Sequence, residues 1–203
     1  MEVEQIEPEL GRRLQIVESD ELDLIKDSHT VVCHSFSCIP VALACLSQTI
    51  RPKIVLWLEP ENLLYNPHLV EETLKDSDRQ LITRMRQSIN KVSQEPQLRA
   101  RWFDRLESNL THFRECLKTH QVALSRPHFT SELASMDTKL VLGLSDYSQS
   151  PKWCEKRFHE FGLANFASIR WVTLRNCGFF SFEEQRGLPL LSALAQIVLW
   201  TES

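Results

Sequence analysis

Apolar and polar positions follow two different rhythms along the chain, and these rhythms predict strands and helices in turn. Between Leu10 and Ile25 apolar residues recur at spacings of three to five, which predicts a helix with one apolar face. Short apolar runs rich in β-branched residues predict buried strands. They lie at residues 30–35, 53–58, 139–144 and 169–174. Further helices are predicted at residues 39–46, 151–161 and 188–200.

The middle of the chain has a different pattern, because it is polar and its apolar residues keep helical spacing over a long distance. We therefore divide the chain into residues 1–65, a helical insert at 66–136, and residues 137–203. Strands that alternate with helices predict an α/β fold with a mostly parallel sheet and helices on both faces.

Composition and charge narrow the function classes. The chain has 203 residues, 42% of them apolar and 25% charged, which is the balance of a soluble folded protein. A net charge of −4 gives no electrostatic case for nucleic acid, and the mild basic excess between residues 75 and 126 is typical of a solvated helical surface. No apolar run approaches the ~20 residues that span a bilayer. The acidic N-terminus resembles neither a signal nor a transit peptide, so we expect a cytoplasmic protein without a membrane partner.

Glycine and cysteine usage argue against bound cofactors. The chain has 5 Gly and no glycine-rich phosphate-binding motif. Its 6 Cys form no C-x-x-C pair, and we expect most of them to be small buried hydrophobic residues. The one local candidate for zinc ligands is Cys33-His34 with Cys38. This pattern is weak, because zinc sites usually have closely paired Cys or His ligands. We therefore expect neither a cofactor nor a metal ion.

The junction between the first predicted strand and the following helix carries a family resemblance. Residues 33–38 read C-H-S-F-S-C. This segment resembles the nucleophile elbow of α/β-hydrolases, G-x-S-x-G, commonly G-H-S-F-G-G. The resemblance puts Ser35 at the nucleophile, with His34 and Phe36 beside it in the pocket. Cys33, Ser37 and Cys38 stand where that family usually has glycine.

Further motifs follow in the order of that family. Residues 54–60 resemble its next strand, and the insert at 66–136 stands where a helical cap is common. Residues 143–146, G-L-S-D, resemble the strand end that supplies the catalytic acid, here Asp146. Residues 176–185 resemble the loop G-H-F-x-x-x-E-x-P, with Phe179 at the position of the catalytic histidine and Phe180 beside it. The implied fold is the C-terminal half of an α/β-hydrolase with a cap insert.

Two departures from the family decide the functional expectation. Phe179 has no titratable nitrogen, so it cannot take the proton from Ser35. The second departure concerns the strands that precede the elbow in the family, together with the loop that supplies one N–H of the oxyanion hole. The residues before 30 contain no counterpart of them. We expect an N-terminally truncated, degenerate relative that acts by binding or as a subunit, and a small hydrophobic ligand would suit a pocket with three Phe residues. The alternatives are an active ester or thioester hydrolase that uses Ser35 and Asp146 with a displaced histidine, and half of a split hydrolase.

The missing strands also imply a partner. The strand from Thr30 to Ser35 would become an edge with unpaired backbone groups, which proteins rarely leave open. We expect this edge to be covered by the N-terminal segment, by a second copy of the chain, or by a different protein.

Overall fold

The core of the protein is a parallel sheet of four strands. The computed structural model describes residues 21–59, 67–93, 95–145, 156, 158–160 and 163–174. The strands are β1 (Thr30–His34), β2 (Ile54–Leu58), β3 (Lys139–Ser145) and β4 (Ile169–Leu174), in the spatial order β1-β2-β3-β4. All three neighbouring pairs are parallel. The predicted α/β class is confirmed, and each predicted strand is found within about two residues of its expected bounds.

Burial explains why these segments form strands. Every residue of β2 is buried, as expected for a central strand with both faces covered, while β1 alternates between buried and half-buried positions. The register brings His34 beside Leu58 and Leu58 beside Gly143. The carboxyl ends of β1, β2 and β3 therefore lie together at one end of the sheet, where α/β proteins place their ligand sites.

Six α-helices have defined bounds within the described residues. Helix α1 (Cys38–Leu46) follows β1, and Pro40 lies in its first turn, where a missing N–H costs little. The other five lie between β2 and β3, where the sequence predicted a helical insert. They are α2 (Pro67–Lys75), α3 (Asp78–Val92), α4 (Pro96–Ser108), α5 (Leu110–Leu124) and α6 (Phe129–Ala134). Whether the segment is a separate cap, with boundaries at 66 and 136, stays a prediction.

Helix α5 connects the helical segment to the sheet. It packs against α2 on one side, and against α1 and the 3-10 turn Ser35–Ser37 on another. Its buried residues are Leu117, His120 and Ala123. Ala123 belongs to the main hydrophobic core with Trp57, whereas Leu117 belongs to a smaller cluster with Leu81. One helix thus packs both against the turn after β1 and against other helices of the insert.

The ends of the chain and the segment before β4 are only partly described. Leu22–Ile25 forms a 3-10 turn where the periodicity predicted the end of a helix, and residues 1–20 lie outside the described residues. Of the helix predicted at 151–161, residues 156 and 158–160 are helical. The helix predicted at 188–200 lies outside the described ranges. No helix within those ranges is long and apolar enough to cross a bilayer.

Candidate active site

Ser35 occupies a sharp turn at the carboxyl end of β1. Its backbone φ is 51°, in the left-handed region that residues other than glycine avoid. The strand ends at His34, the 3-10 turn covers Ser35–Ser37, and α1 begins at Cys38. Ser35 is buried, with 9% of its surface exposed. A strained serine between a parallel strand and a helix is the local geometry of a nucleophile elbow.

The hydroxyl of Ser37 closes this turn. Ser37 Oγ accepts a hydrogen bond from the backbone N–H of His34 at 3.0 Å and donates one to the His34 carbonyl at 2.8 Å. The backbone N–H of Cys38 donates to the carbonyl of Ser35. Ser37 thus adds two bonds to a turn where a glycine would add none. This explains how the elbow forms although a larger residue replaces glycine.

Cys33 and Cys38 fill the two other positions where the hydrolase elbow has glycine. Both are buried free thiols, and each donates a weak hydrogen bond to a carbonyl of β2: Cys33 to Leu56 at 3.6 Å and Cys38 to Leu58 at 3.8 Å. Burial raises the pKa of Cys38 well above its usual value and that of Cys45 to about 12. The Cys38 and Cys45 thiols therefore stay protonated near neutral pH. They act as small core residues, and their thiolate forms, which a metal would need, are disfavoured.

Glu59 is a buried carboxyl group at the carboxyl end of β2, the same end of the sheet as Ser35. It follows Leu58, the register partner of His34, just as Ser35 follows His34, so the two residues lie at matching positions of neighbouring strands. Its backbone φ is 53°, its N–H donates to the Gly143 carbonyl at 2.8 Å, and only 2% of its surface is exposed. Residue 59 lies in the segment 54–60 that resembles the next strand of the hydrolase family, and no chemical role was predicted for it. A carboxyl group directly after a fully apolar strand was the available signal.

One histidine differs from the rest in its surroundings. The chain has 7 His, and all of them lie in the described part. His120 is 1% exposed. Its Nδ1 lies 2.9 Å from the Cys116 carbonyl, and burial lowers its pKa to about 4. The remaining six are exposed or half-buried: His29, His34, His68, His112, His128 and His159.

The other predicted site residues are mostly outside the described part of the chain. The ranges that are not described include Asp146, Phe179 and Phe180. For Phe36 the structure describes only the backbone, which lies in the turn Ser35–Ser37. The structure places His34 at the end of β1 and Ser35 in the turn that follows it, and the association with Asp146 and the Phe residues stays a prediction. The apolar pocket expected among those Phe residues stays a prediction.

Away from the elbow, the described residues form a polar groove and no metal-binding cluster. A surface groove of about 400 Å³ is lined by polar residues between Asp76 and Gln87, none of which belongs to the elbow. Within the described residues, no group of three or more His, Cys, Asp or Glu side chains is arranged to hold a metal ion.

Comparison with known proteins finds similar solved structures. No family model matches the chain, and no curated protein matches it. A crystal structure from work on carboxylesterases of the ammonia-oxidizing thaumarchaeon Nitrososphaera gargenis is similar, with a TM-score of 0.46 and 13% sequence identity. The alignment covers 91% of this chain and 74% of that chain. A similarity of this size identifies neither family nor activity.

Proposed function

We propose that this chain is an α/β-hydrolase-like protein in which Ser35 is the nucleophile of an ester or thioester hydrolase. The observation that carries the proposal is the left-handed backbone of Ser35, directly between β1 and α1. Strained backbone of this kind concentrates at functional sites. It costs roughly 1–2 kcal/mol in a residue with a Cβ atom, whereas glycine adopts it freely. A serine at this position is therefore best explained by a need for its hydroxyl.

The proposed reaction is acyl transfer through Ser35. Its Oγ attacks the carbonyl carbon of the ester or thioester, and a base takes the hydroxyl proton. Collapse of the tetrahedral intermediate expels the alcohol or thiol, and water then releases the acid from the acyl-serine. The resemblance assigns Asp146 as the acid that supports the base. Because Phe179 replaces the family's histidine, the proposal needs a histidine supplied from elsewhere in the chain.

A fluorophosphonate probe tests the nucleophile directly. The Ser35 oxygen would form a bond to phosphorus while fluoride leaves, and peptide mass spectrometry would locate the adduct. We expect labelling at Ser35 in the wild-type chain and none in Ser35→Ala. The matched control is Ser37→Thr, which keeps a hydroxyl at the neighbouring turn position. A folded wild-type chain that no probe concentration labels at Ser35 would refute the proposal.

A second candidate is a catalytically degraded relative that works by binding. Phe179 favours it, because a chain without the family's catalytic histidine loses several powers of ten in rate if nothing replaces it. In that case a small apolar ligand would lie among Phe36, Phe179 and Phe180, and a partner protein or second copy would cover the edge of β1. Absence of labelling together with binding of an apolar fluorescent probe would favour this candidate.

A further inference from the structure

We infer that His120 is the general base that serves Ser35, supplied by the helical segment in place of the loop residue Phe179. The inference rests on the proposed role of Ser35 as nucleophile. Because Ser35 is itself buried, a base that reaches its hydroxyl must lie beside the elbow and be largely buried as well. Among the histidines, His120 is the one that is buried, since the other six are exposed or half-buried.

The position of its helix supports the assignment. Helix α5 packs against the 3-10 turn Ser35–Ser37 and against α1, the two elements that form the elbow. His120 lies on the buried side of α5, in line with Leu117 and Ala123. The imidazole is therefore carried by the buried side of a helix that covers the proposed nucleophile. His34, although next to Ser35 in sequence, belongs to the strand and is only half-buried.

The hydrogen bond of His120 sets the tautomer that a base needs. The Cys116 carbonyl can only accept, so Nδ1 carries the proton that is donated across 2.9 Å. The lone pair of the neutral ring is then on Nε2. With His120 as the base, the Cys116 carbonyl takes the orienting role that the resemblance assigns to Asp146. Burial keeps the ring neutral near pH 7, because it lowers the pKa of His120 to about 4.

Each proton and electron pair can be followed through the reaction of Ser35 with an ester or thioester. As Ser35 Oγ bonds to the acyl carbon, its proton moves to Nε2 of His120 and the carbonyl π electrons move to oxygen. When the carbon–oxygen or carbon–sulfur bond to the leaving group breaks, Nε2–H returns the proton to that group. Water repeats the sequence on the acyl-serine. Because a base with a low pKa drives proton removal weakly, we expect slow acylation.

The test compares labelling rates of matched variants. We expect His120→Gln to lower the rate of fluorophosphonate labelling at Ser35 by at least about 100-fold. The control is His112→Gln, on the exposed side of the same helix, which should label at the wild-type rate. In His120→Ala, added imidazole should restore labelling by entering the space left by the side chain, an effect that a merely structural histidine would not show. Circular dichroism verifies folding, and His120→Phe, which keeps a buried ring, replaces any variant that fails to fold.

The outcomes separate this inference from the proposed function. Fast labelling of Ser35 in folded His120→Gln or His120→Phe would overturn the role of His120 and leave Ser35 as nucleophile. A wild-type chain that is not labelled would overturn both. Loss of labelling in the variants with rescue by imidazole would support both.

Discussion

Burial of His120 should make the stability of the protein depend on pH in a specific window. The unfolded chain binds a proton at His120 with a pKa near the ordinary value of 6.5, and in the folded chain burial lowers that pKa to about 4. Between these values the unfolded state binds more protons, so acidification favours unfolding. The contribution is fully present above pH 6.5 and is lost as the pH falls toward 4.

The size of the effect follows from the shift in pKa. A difference of one pKa unit corresponds to about 1.4 kcal/mol, so the whole window is worth roughly 3 kcal/mol. From pH 7.5 to pH 5.0, where most carboxylates are still ionised, the same linkage gives a loss of about 2 kcal/mol. That is a large fraction of the 5–15 kcal/mol typical of a folded domain.

Urea unfolding at several pH values between 7.5 and 5.0 measures this loss. We expect the free energy of unfolding of the wild-type chain to fall about 2 kcal/mol further than that of His120→Phe, which has no proton to bind. His128→Gln removes an exposed histidine and should keep the wild-type dependence. Parallel curves for the wild type and His120→Phe would show that His120 is not held neutral by burial, and would refute the reasoning.

Two further predictions concern the elbow and the sheet edge. Ser35→Gly should be about 1 kcal/mol more stable to urea than Ser35→Ala, because both lack the hydroxyl and only glycine relaxes a φ of 51°; equal stabilities would argue against strain at this turn. Within the described residues β1 is the outermost strand, and its Val31 and Cys33 are nonetheless buried. If another chain covers that edge, light scattering should give a mass above the monomer and the amides of residues 30–35 should exchange slowly with deuterium; a monomer with fast exchange there would contradict the idea.

Much of the architecture can be predicted from periodicity. Apolar spacing predicts the four strands, the helix after β1 and the helices between β2 and β3. In these segments the residues that set the local periodicity are also the ones that become buried. The turn at Ser35 was predicted from the resemblance of the C-H-S-F-S-C segment to a nucleophile elbow, and a 3-10 turn covers Ser35–Ser37 there. The end of the predicted helix at Leu22–Ile25 was wrong in type, because short apolar spacing does not distinguish a 3-10 turn from an α-helix.

The sequence alone determined which residues have titratable or nucleophilic side chains. The tertiary structure decided which of them are buried near the carboxyl ends of the strands. Seven histidines and a carboxyl group after β2 are visible in the sequence, without any sign of their surroundings. His120 is buried only once α5 packs in the folded chain, and the parallel register of His34 with Leu58 brings Glu59 and Ser35 to the same end of the sheet. The physical reason is that desolvation and proximity arise from contacts between segments far apart in the chain. Local patterns of residues do not encode such contacts.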